Sequence, residues 1–221
     1  MGKNVALRCF SYLKNFVFPS LCLHCKEEKA DQILCAGCLS LLDFLSSETS
    51  EKDVGHKLEI RSAFERRGPA RDLMLHFRSH YSQGLAKTLA AFMVVQWDHL
   101  KWPLPDLIVP VAQSLIHRLT RGYSTSLLLS EEVGALLGRP VQQLLTRRIA
   151  DFSQEWLSVE QRRLLNKGAF RWNKRQDLSG KTILLIDDFH VTGTTLRRAA
   201  EVLKEGFPKK IYALTFCSSI V

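Results

Sequence analysis

The sequence predicts an α/β domain with a mainly parallel sheet flanked by helices, preceded by a small metal-binding module. Three observations carry this. Beyond residue 57, strand-like and helix-like segments alternate, the order produced by parallel strands joined through crossover helices. One strand-like run, KTILLID at 181–187, is apolar almost throughout, as a strand covered on both faces must be. Ahead of residue 46, four cysteines fall in two tight pairs, a spacing typical of metal sites and not of secreted disulfide frameworks.

Taken in order, residues 5–18 place Ala6, Leu7, Phe10, Leu13, Phe16 and Val17 at helical spacing. A short amphipathic helix stopped near Pro19 is expected there, docked on the body of the protein; a membrane-surface role is the alternative. Lys14 interrupts its apolar run and no small-residue cleavage site follows, so a signal peptide is not expected. The polar stretch SSETSEKDVGHK at 46–57 reads as a boundary. It divides the chain into an N-terminal helix and four-cysteine module at 1–48, a linker at 49–57 and the main domain at 58–221. Within that domain, residues 84–97 read as a helix, 106–111 as a short buried strand, and Thr125–Leu137 as a helix with Gly138 as its stop. A strand at 141–145, the strand at 181–187, a helix at 194–205 ended by Gly206 and Pro208, and a last strand at 210–216 complete the alternation.

The chain has 221 residues with 31 Lys+Arg against 22 Asp+Glu and 46% hydrophobic residues. Disordered, collagenous and low-complexity classes are excluded. No uncharged apolar stretch reaches the roughly 18 residues of a membrane-spanning helix, and a cytoplasmic protein is expected. The formal charge of +9 is unevenly placed. Residues 1–50 balance Lys3, Arg8, Lys14, Lys26 and Lys29 against Glu27, Glu28, Asp31, Asp43 and Glu48. Between 142 and 176, Arg147, Arg148, Arg162, Arg163, Lys167, Arg171, Lys174 and Arg175 face only Asp151, Glu155 and Glu160. Such a segment is either a solvated face rich in arginine or a nucleic-acid surface in which Arg147, Arg148, Arg162, Arg163 and Arg171 contact phosphates. Phe152, Trp156, Phe170 and Trp172 lie among these charges and would serve equally as stacking platforms or as core anchors.

The cysteines read Cys22-x2-Cys25-x9-Cys35-x2-Cys38. Two knuckles of this kind turn four thiolates toward one point, the tetrahedral arrangement of a structural zinc ribbon. A thioredoxin-like redox pair would need a single C-x-x-C at a helix start after a strand, and the duplication argues against it. His24 would replace a cysteine ligand only if one failed, and is expected to face solvent. Cys9 and Cys217 are isolated and read as buried thiols.

The run 183–195 delivers Asp187 and Asp188 at the carboxyl end of a buried strand, then turns through Thr192, Gly193, Thr194 and Thr195 into a helix. Hydroxyls and free backbone N–H groups at a helix start cradle a phosphate. Adjacent carboxylates can accept vicinal sugar hydroxyls and help hold Mg²⁺. Gly180-Lys181-Thr182 mimics the end of a P-loop, but the glycine required at 175 is Arg175, and a strand follows instead of a helix.

At these residues the chain resembles the phosphoribosyl-diphosphate (PRPP) loop of type I phosphoribosyltransferases, in the pattern Asp187-Asp188-x-x-x-Thr192-Gly193-x-Thr195. Further motifs narrow the resemblance to the ComF (competence protein F) family. They are Phe18-Pro19 before the cysteines, the run from Asp106 to Val111, Arg118-x-x-Arg121-Gly122-Tyr123, and Thr146-Arg147 through Gln154, Leu157, Arg162, Asn166 and Gly168-Ala169-Phe170. The resemblance implies a type I phosphoribosyltransferase-like fold in which Asp187 and Asp188 bind the ribose hydroxyls and act as the catalytic pair. Thr192, Gly193, Thr194 and Thr195 would bind the 5-phosphate, Arg118 and Arg121 the diphosphate, and the basic stretch 147–171 would form a flap. It implies structural zinc, Mg²⁺ with PRPP, and a role in DNA uptake or natural transformation involving single-stranded DNA and DNA-translocating proteins. An active phosphoribosyltransferase and a zinc-stabilised scaffold with a vestigial site are the alternatives. The family's Asp-Asp-Val-x-Thr-Thr-Gly has become a loop with Phe189, His190 and Val191, so a general-base carboxylate that some relatives carry at position 191 is missing. The usual Pro-Val-Pro of the diphosphate loop is Pro110-Val111-Ala112. Where the family reads Arg-Gly-Phe-Asn-Gln, this chain has Arg121 to Thr125 as Arg-Gly-Tyr-Ser-Thr.

Overall fold

A computed structural model describes residues 21–27, 33–46, 51–52, 58–79, 83–114, 119, 122–147, 170–172 and 176–219. The helix expected over 5–18, and Cys9, Arg118, Arg121, Arg148, Phe152, Trp156, Arg162 and Arg163, lie outside these residues.

Five strands make the main sheet: β1 (Glu51–Lys52), β2 (Leu58–Glu65), β3 (Leu107–Pro110), β6 (Thr182–His190) and β7 (Lys210–Ser218). Their order is β1, β2, β7, β6, β3, and all neighbours are parallel except β1 with β2. β1 falls inside the segment expected as linker. The four long helices are α2 (Gly68–Arg78), α3 (Ala86–His99), α4 (Thr125–Leu137) and α5 (Thr194–Lys204). The short α1 (Ala36–Leu39) lies within the second cysteine knuckle.

Strand β6 is central because its apolar residues alternate between two separate cores. Leu184 and Ile186 join Leu214 and Phe216 against α2, α3 and α4. Ile183 and Leu185 join Ile211 and Ala213 against Leu196, Ala199, Ala200 and Leu203 of α5. Both faces are therefore covered, as the continuous apolar run requires. Helix α4 keeps its expected bounds: Ser124 accepts the Leu127 N–H at its start, and Gly138 ends it at φ 60°.

No element was expected between 58 and 79, yet β2 and α2 occupy nearly all of it. Pro69 sits in the first turn of α2, where its missing N–H costs nothing, and Ala70, Leu73, Met74 and Phe77 form the buried stripe. The strand expected at 141–145 reduces to one parallel bridge between Val141 and Ile108. Gln142 and Gln143 offer no apolar surface to continue it. The chain then leaves the sheet as β4 (Leu145–Arg147), paired antiparallel with β5 (Phe170–Trp172).

The cysteine segment shares its core with the sheet. Cys22, Leu34, Cys35 and Cys38 belong to one buried cluster with Phe64, Leu73, Phe77, Leu89 and Met93. Phe44 packs on Phe64 with ring centroids 4.7 Å apart. The Leu45 N–H donates to the Ala63 carbonyl at 3.0 Å, and Gln96 Nε2 donates to the Leu45 carbonyl at 2.9 Å and the Ser62 carbonyl at 3.1 Å.

Candidate functional site

The sheet order creates a crevice at the carboxyl ends of β3 and β6. From β3 the chain runs through α4 to the bridge at Val141 on one side of β3, then returns to β6 on the other. Ligands of open α/β sheets sit at such a reversal point. Here it presents Val111 to Gln113 after β3, and Asp187, Asp188 and the following loop at the end of β6.

Both aspartates are buried, at 9% and 2% exposure, but their environments differ. Asp187 accepts the Asp188 N–H at 2.9 Å. Burial, reinforced by the neighbouring Asp188 carboxylate, raises its pKa well above the usual carboxylate range. Asp188 is held by a fork from Arg78, with Nε donating to Oδ2 at 2.7 Å and an Nη donating to Oδ1 at 2.6 Å. Thr125 Oγ1 adds a third hydrogen bond to Oδ2 at 2.8 Å. Burial works against the Arg78 charge, but the hydrogen bonds to Asp188 outweigh it and raise its pKa. Arg78 also lies over the Phe189 ring at 5.3 Å, and Arg66 does so at 5.1 Å. Arg78 was not singled out from the sequence, and Thr125 was noted there only as a helix start and a departure from the family's motif.

The loop 191–193 leads into α5 through Gly193, which adopts φ 65°. This left-handed turn lets the chain reverse close to the strand end. No side chain caps the helix start and no acidic residue stands in its first turn, so its free N–H groups and the positive end of the helix dipole face outward. Thr192 and Thr194 share a hydrogen bond at 2.7 Å between exposed hydroxyls, and Arg197 donates to the Thr192 carbonyl. The arrangement suits a phosphate group.

A cavity of about 520 Å³ opens beside β3, lined by Pro110 to Gln113, Ser124, Leu127, Gln143 and Leu145 to Arg147. Gln113 connects it to the acidic pair: its amide nitrogen donates to Thr125 Oγ1, and its carbonyl oxygen accepts the Thr125 N–H at 3.2 Å. A polar chain therefore runs Gln113, Thr125, Asp188, Arg78.

His190, expected in an exposed turn, instead ends β6 and is half-buried. Its Nδ1 lies 3.0 Å from Thr215 Oγ1 and 3.4 Å from Ser62 Oγ. Strand pairing with β7 continues to Ser218, and it carries the histidine into this cluster. Val191 is 48% exposed.

Phe170 is in the core at 6% exposure, and Trp172 packs against the same cluster. A Cβ on Gly206 would meet the Trp172 ring at 2.7 Å. These two rings are core anchors, so they do not supply the stacking platform that was one alternative. Arg171 is exposed, and Arg147 lies over the Phe170 ring at 5.8 Å.

All four Sγ atoms of Cys22, Cys25, Cys35 and Cys38 lie within 4.8 Å of one another. Around a tetrahedral zinc at about 2.3 Å per bond, sulfurs stand roughly 3.8 Å apart; Cys25 and Cys35 are at 4.0 Å. The Cys35 N–H donates to Cys22 Sγ at 3.3 Å, and the Cys38 N–H to Cys35 Sγ at 3.4 Å. Burial alone would raise the Cys22 thiol, but N–H donors from Cys35, Cys25 and His24 hold it down to about 6. The quartet could thus hold a metal such as zinc. His24 is not directed to solvent as expected: its Nδ1 bonds Asp72 Oδ2 at 2.7 Å. Cys217 is fully buried and burial pushes its thiol up, as befits an inert core residue.

The fold is the parallel-sheet α/β fold of type I phosphoribosyltransferases. Residues 109–220 match the phosphoribosyl transferase domain family, and the chain belongs to it. Similar solved structures include the purine phosphoribosyltransferase from Pyrococcus horikoshii Ot3, at 17% identity and a TM-score of 0.40, covering 64% of this chain and 85% of that one. The adenine phosphoribosyltransferase from Saccharomyces cerevisiae is 15% identical at a TM-score of 0.40, covering 61% and 69%. The glutamine PRPP amidotransferase from B. subtilis is 18% identical at 0.44, covering 63% and 30%. No curated protein matches the chain. Among the described residues, no helix is long and apolar enough to cross a membrane.

Proposed function

We propose that this domain binds PRPP or a closely related phosphorylated ribose at the carboxyl ends of β3 and β6. The observation that carries the reading is the uncapped start of α5, one short loop beyond a buried carboxylate pair at the sheet's reversal point. The backbone N–H groups after Gly193 and the hydroxyls of Thr192, Thr194 and Thr195 receive the 5-phosphate. Asp187 accepts a ribose hydroxyl, and Arg118 and Arg121 would bind the diphosphate by the family resemblance. In pentosyl transfer, diphosphate leaves C1, and a nitrogen base captures the oxocarbenium-like ribose. Mg²⁺ supplies charge neutralisation on the diphosphate when bound. Asp187 and the ligand's own oxygens would hold it, because Arg78 already occupies Asp188. Zinc at Cys22, Cys25, Cys35 and Cys38 would be structural.

The enzymatic reading predicts Mg²⁺-dependent diphosphate release from PRPP in the presence of an acceptor base, lost in Asp187→Asn. Retained PRPP binding with no release across a panel of bases would leave the binding function and remove transfer. The exposed Val191 and the engagement of His190 with Thr215 and Ser62 put no carboxylate base in the loop, which favours the binding role.

A ComF-like role in DNA uptake is the second part of the proposal, supported by the exposed Arg171 on β5. Arg147, Arg148, Arg162, Arg163 and Arg171 would meet single-stranded DNA or a DNA-translocating partner. Single-strand affinity should then fall with salt at a log–log slope of about −0.7 per phosphate contact. Charge reversal at Arg147, Arg148, Arg162 and Arg163 should abolish it; unchanged binding would place DNA elsewhere.

A further inference from the structure

The sequence presents two adjacent carboxylates, and among the described residues Asp188 has a strong cationic partner while Asp187 has no ion pair. Asp188 is buried near the end of β6 at 3% side-chain exposure, and three hydrogen bonds from Arg78 and Thr125 fill acceptor positions on both its oxygens. A forked guanidinium on a carboxylate is among the strongest protein hydrogen-bond arrangements and the most restrictive in geometry. Arg78 is fixed on a second side by the ring of Phe189, the residue that follows Asp188 in β6. Thr125 is fixed in turn by Gln113 from the β3 loop. Elements from four places in the chain therefore agree on one position for Asp188.

We propose that Arg78 is a specificity-determining residue that takes over the carboxylate needed to grip both vicinal hydroxyls of a ribose. The inference rests on the sugar-phosphate reading above. A ribose is told from a 2-deoxyribose by hydrogen bonds to its 2-hydroxyl, and a site rejects the analogue only when an acceptor is left unpaired by its absence. With Arg78 and Thr125 in place, Asp188 stays satisfied whichever sugar enters, and Asp187 accepts the 3-hydroxyl that both sugars carry. The 5-phosphate contacts at α5 are the same for both sugars. The site therefore takes 2-deoxyribose 5-phosphate as readily as ribose 5-phosphate, and its ligand class includes deoxyribose phosphates.

The test is calorimetric titration of ribose 5-phosphate and 2-deoxyribose 5-phosphate into wild-type protein, Arg78→Gln and Arg78→Lys, with melting curves as a folding control. Wild type should bind the two sugars within about 3-fold of each other. Arg78→Gln frees Asp188 and should favour the ribose by about 10-fold or more, the value of one hydrogen bond to a charged acceptor. Arg78→Lys, a point charge without a fork, should fall between them and stands in if the glutamine variant does not fold. Wild-type preference for ribose of 10-fold or more overturns the proposal, as does an unchanged ratio in both variants; either result leaves sugar-phosphate binding intact. Absence of binding to all three proteins refutes both this proposal and the function it rests on.

Discussion

His24 Nδ1 lies 2.7 Å from Asp72 Oδ2, and this contact ties the first cysteine knuckle to α2. The same helix carries Arg78 at its last turn and so reaches the acidic pair. The cysteine segment is thus a brace on the helix that organises the site, built on the shared core of Leu34, Leu73 and Phe64. Both partners of the His24 contact keep about a third of their side-chain surface, so its own contribution is modest. His24→Ala and Asp72→Ala should each cost about 1 kcal/mol or less. Their double-mutant cycle, read from denaturant melts, should show non-additive losses; full additivity would mean the contact contributes nothing.

Metal removal should reach well beyond the knuckles. Purified protein should carry one zinc per chain by elemental analysis, and a strong chelator or Cys35→Ser should lower the melting temperature by roughly 10 °C or more, given about 2–4 °C per kcal/mol at this size. Because the knuckles share the core with α2 and α3, one cooperative transition is expected. Two separate transitions would show that the segment melts on its own.

The two aspartates should respond in opposite directions to conversion to asparagine. Asp187 has a raised pKa in the folded protein. A carboxyl of this kind binds its proton more tightly folded than unfolded, so its stabilising contribution is full below the unfolded pKa and is lost as pH rises through the folded one. Asp187→Asn should therefore be more stable than wild type at pH 7, by roughly 1 kcal/mol or more, with the gap closing toward about pH 4. Asp188→Asn removes the partner of a largely buried guanidinium and should cost about 3 kcal/mol at pH 7. Parallel denaturant melts across this pH range check both signs.

Gly134 lies where α4 backs onto the strand-like bridge at Val141. A Cβ there would stand 2.5 Å from Val141 Cγ2 and 2.9 Å from the Arg139 carbonyl oxygen. Gly134→Ala should destabilise by about 1–3 kcal/mol despite the better helix propensity of alanine. A stability gain in thermal melts would contradict this packing.

Much of this was legible because the signals are local. The Cys22 to Cys38 spacing, the apolar run of β6, the Thr/Gly turn into α5 and Gly138 as a helix stop each depend on a few consecutive residues. What escaped depends on distance along the chain. Arg78 and Thr125 meet Asp188 across 110 and 63 residues, and nothing in their own neighbourhoods marks them as partners of that carboxylate. β2 is stabilised by its parallel register with β7, where Ser62 pairs with Thr215, a relation no window of sequence contains. The fates of Phe170 and Trp172 were open for the same reason: Trp172 is placed by Gly206, which only the fold brings beside it.

The central claim, a phosphorylated ribose held at the start of α5, is tested most directly by thermal melts of the full chain with increasing PRPP and Mg²⁺, alongside Gly193→Ala and the Thr194→Ala, Thr195→Ala pair. Wild type should show a saturable rise of roughly 5–10 °C at about one hundred times the Kd, corresponding to about 2.7 kcal/mol. Both variants should fold and lose most of that rise. No shift in wild type at millimolar PRPP, or equal shifts in all three proteins, would contradict the claim.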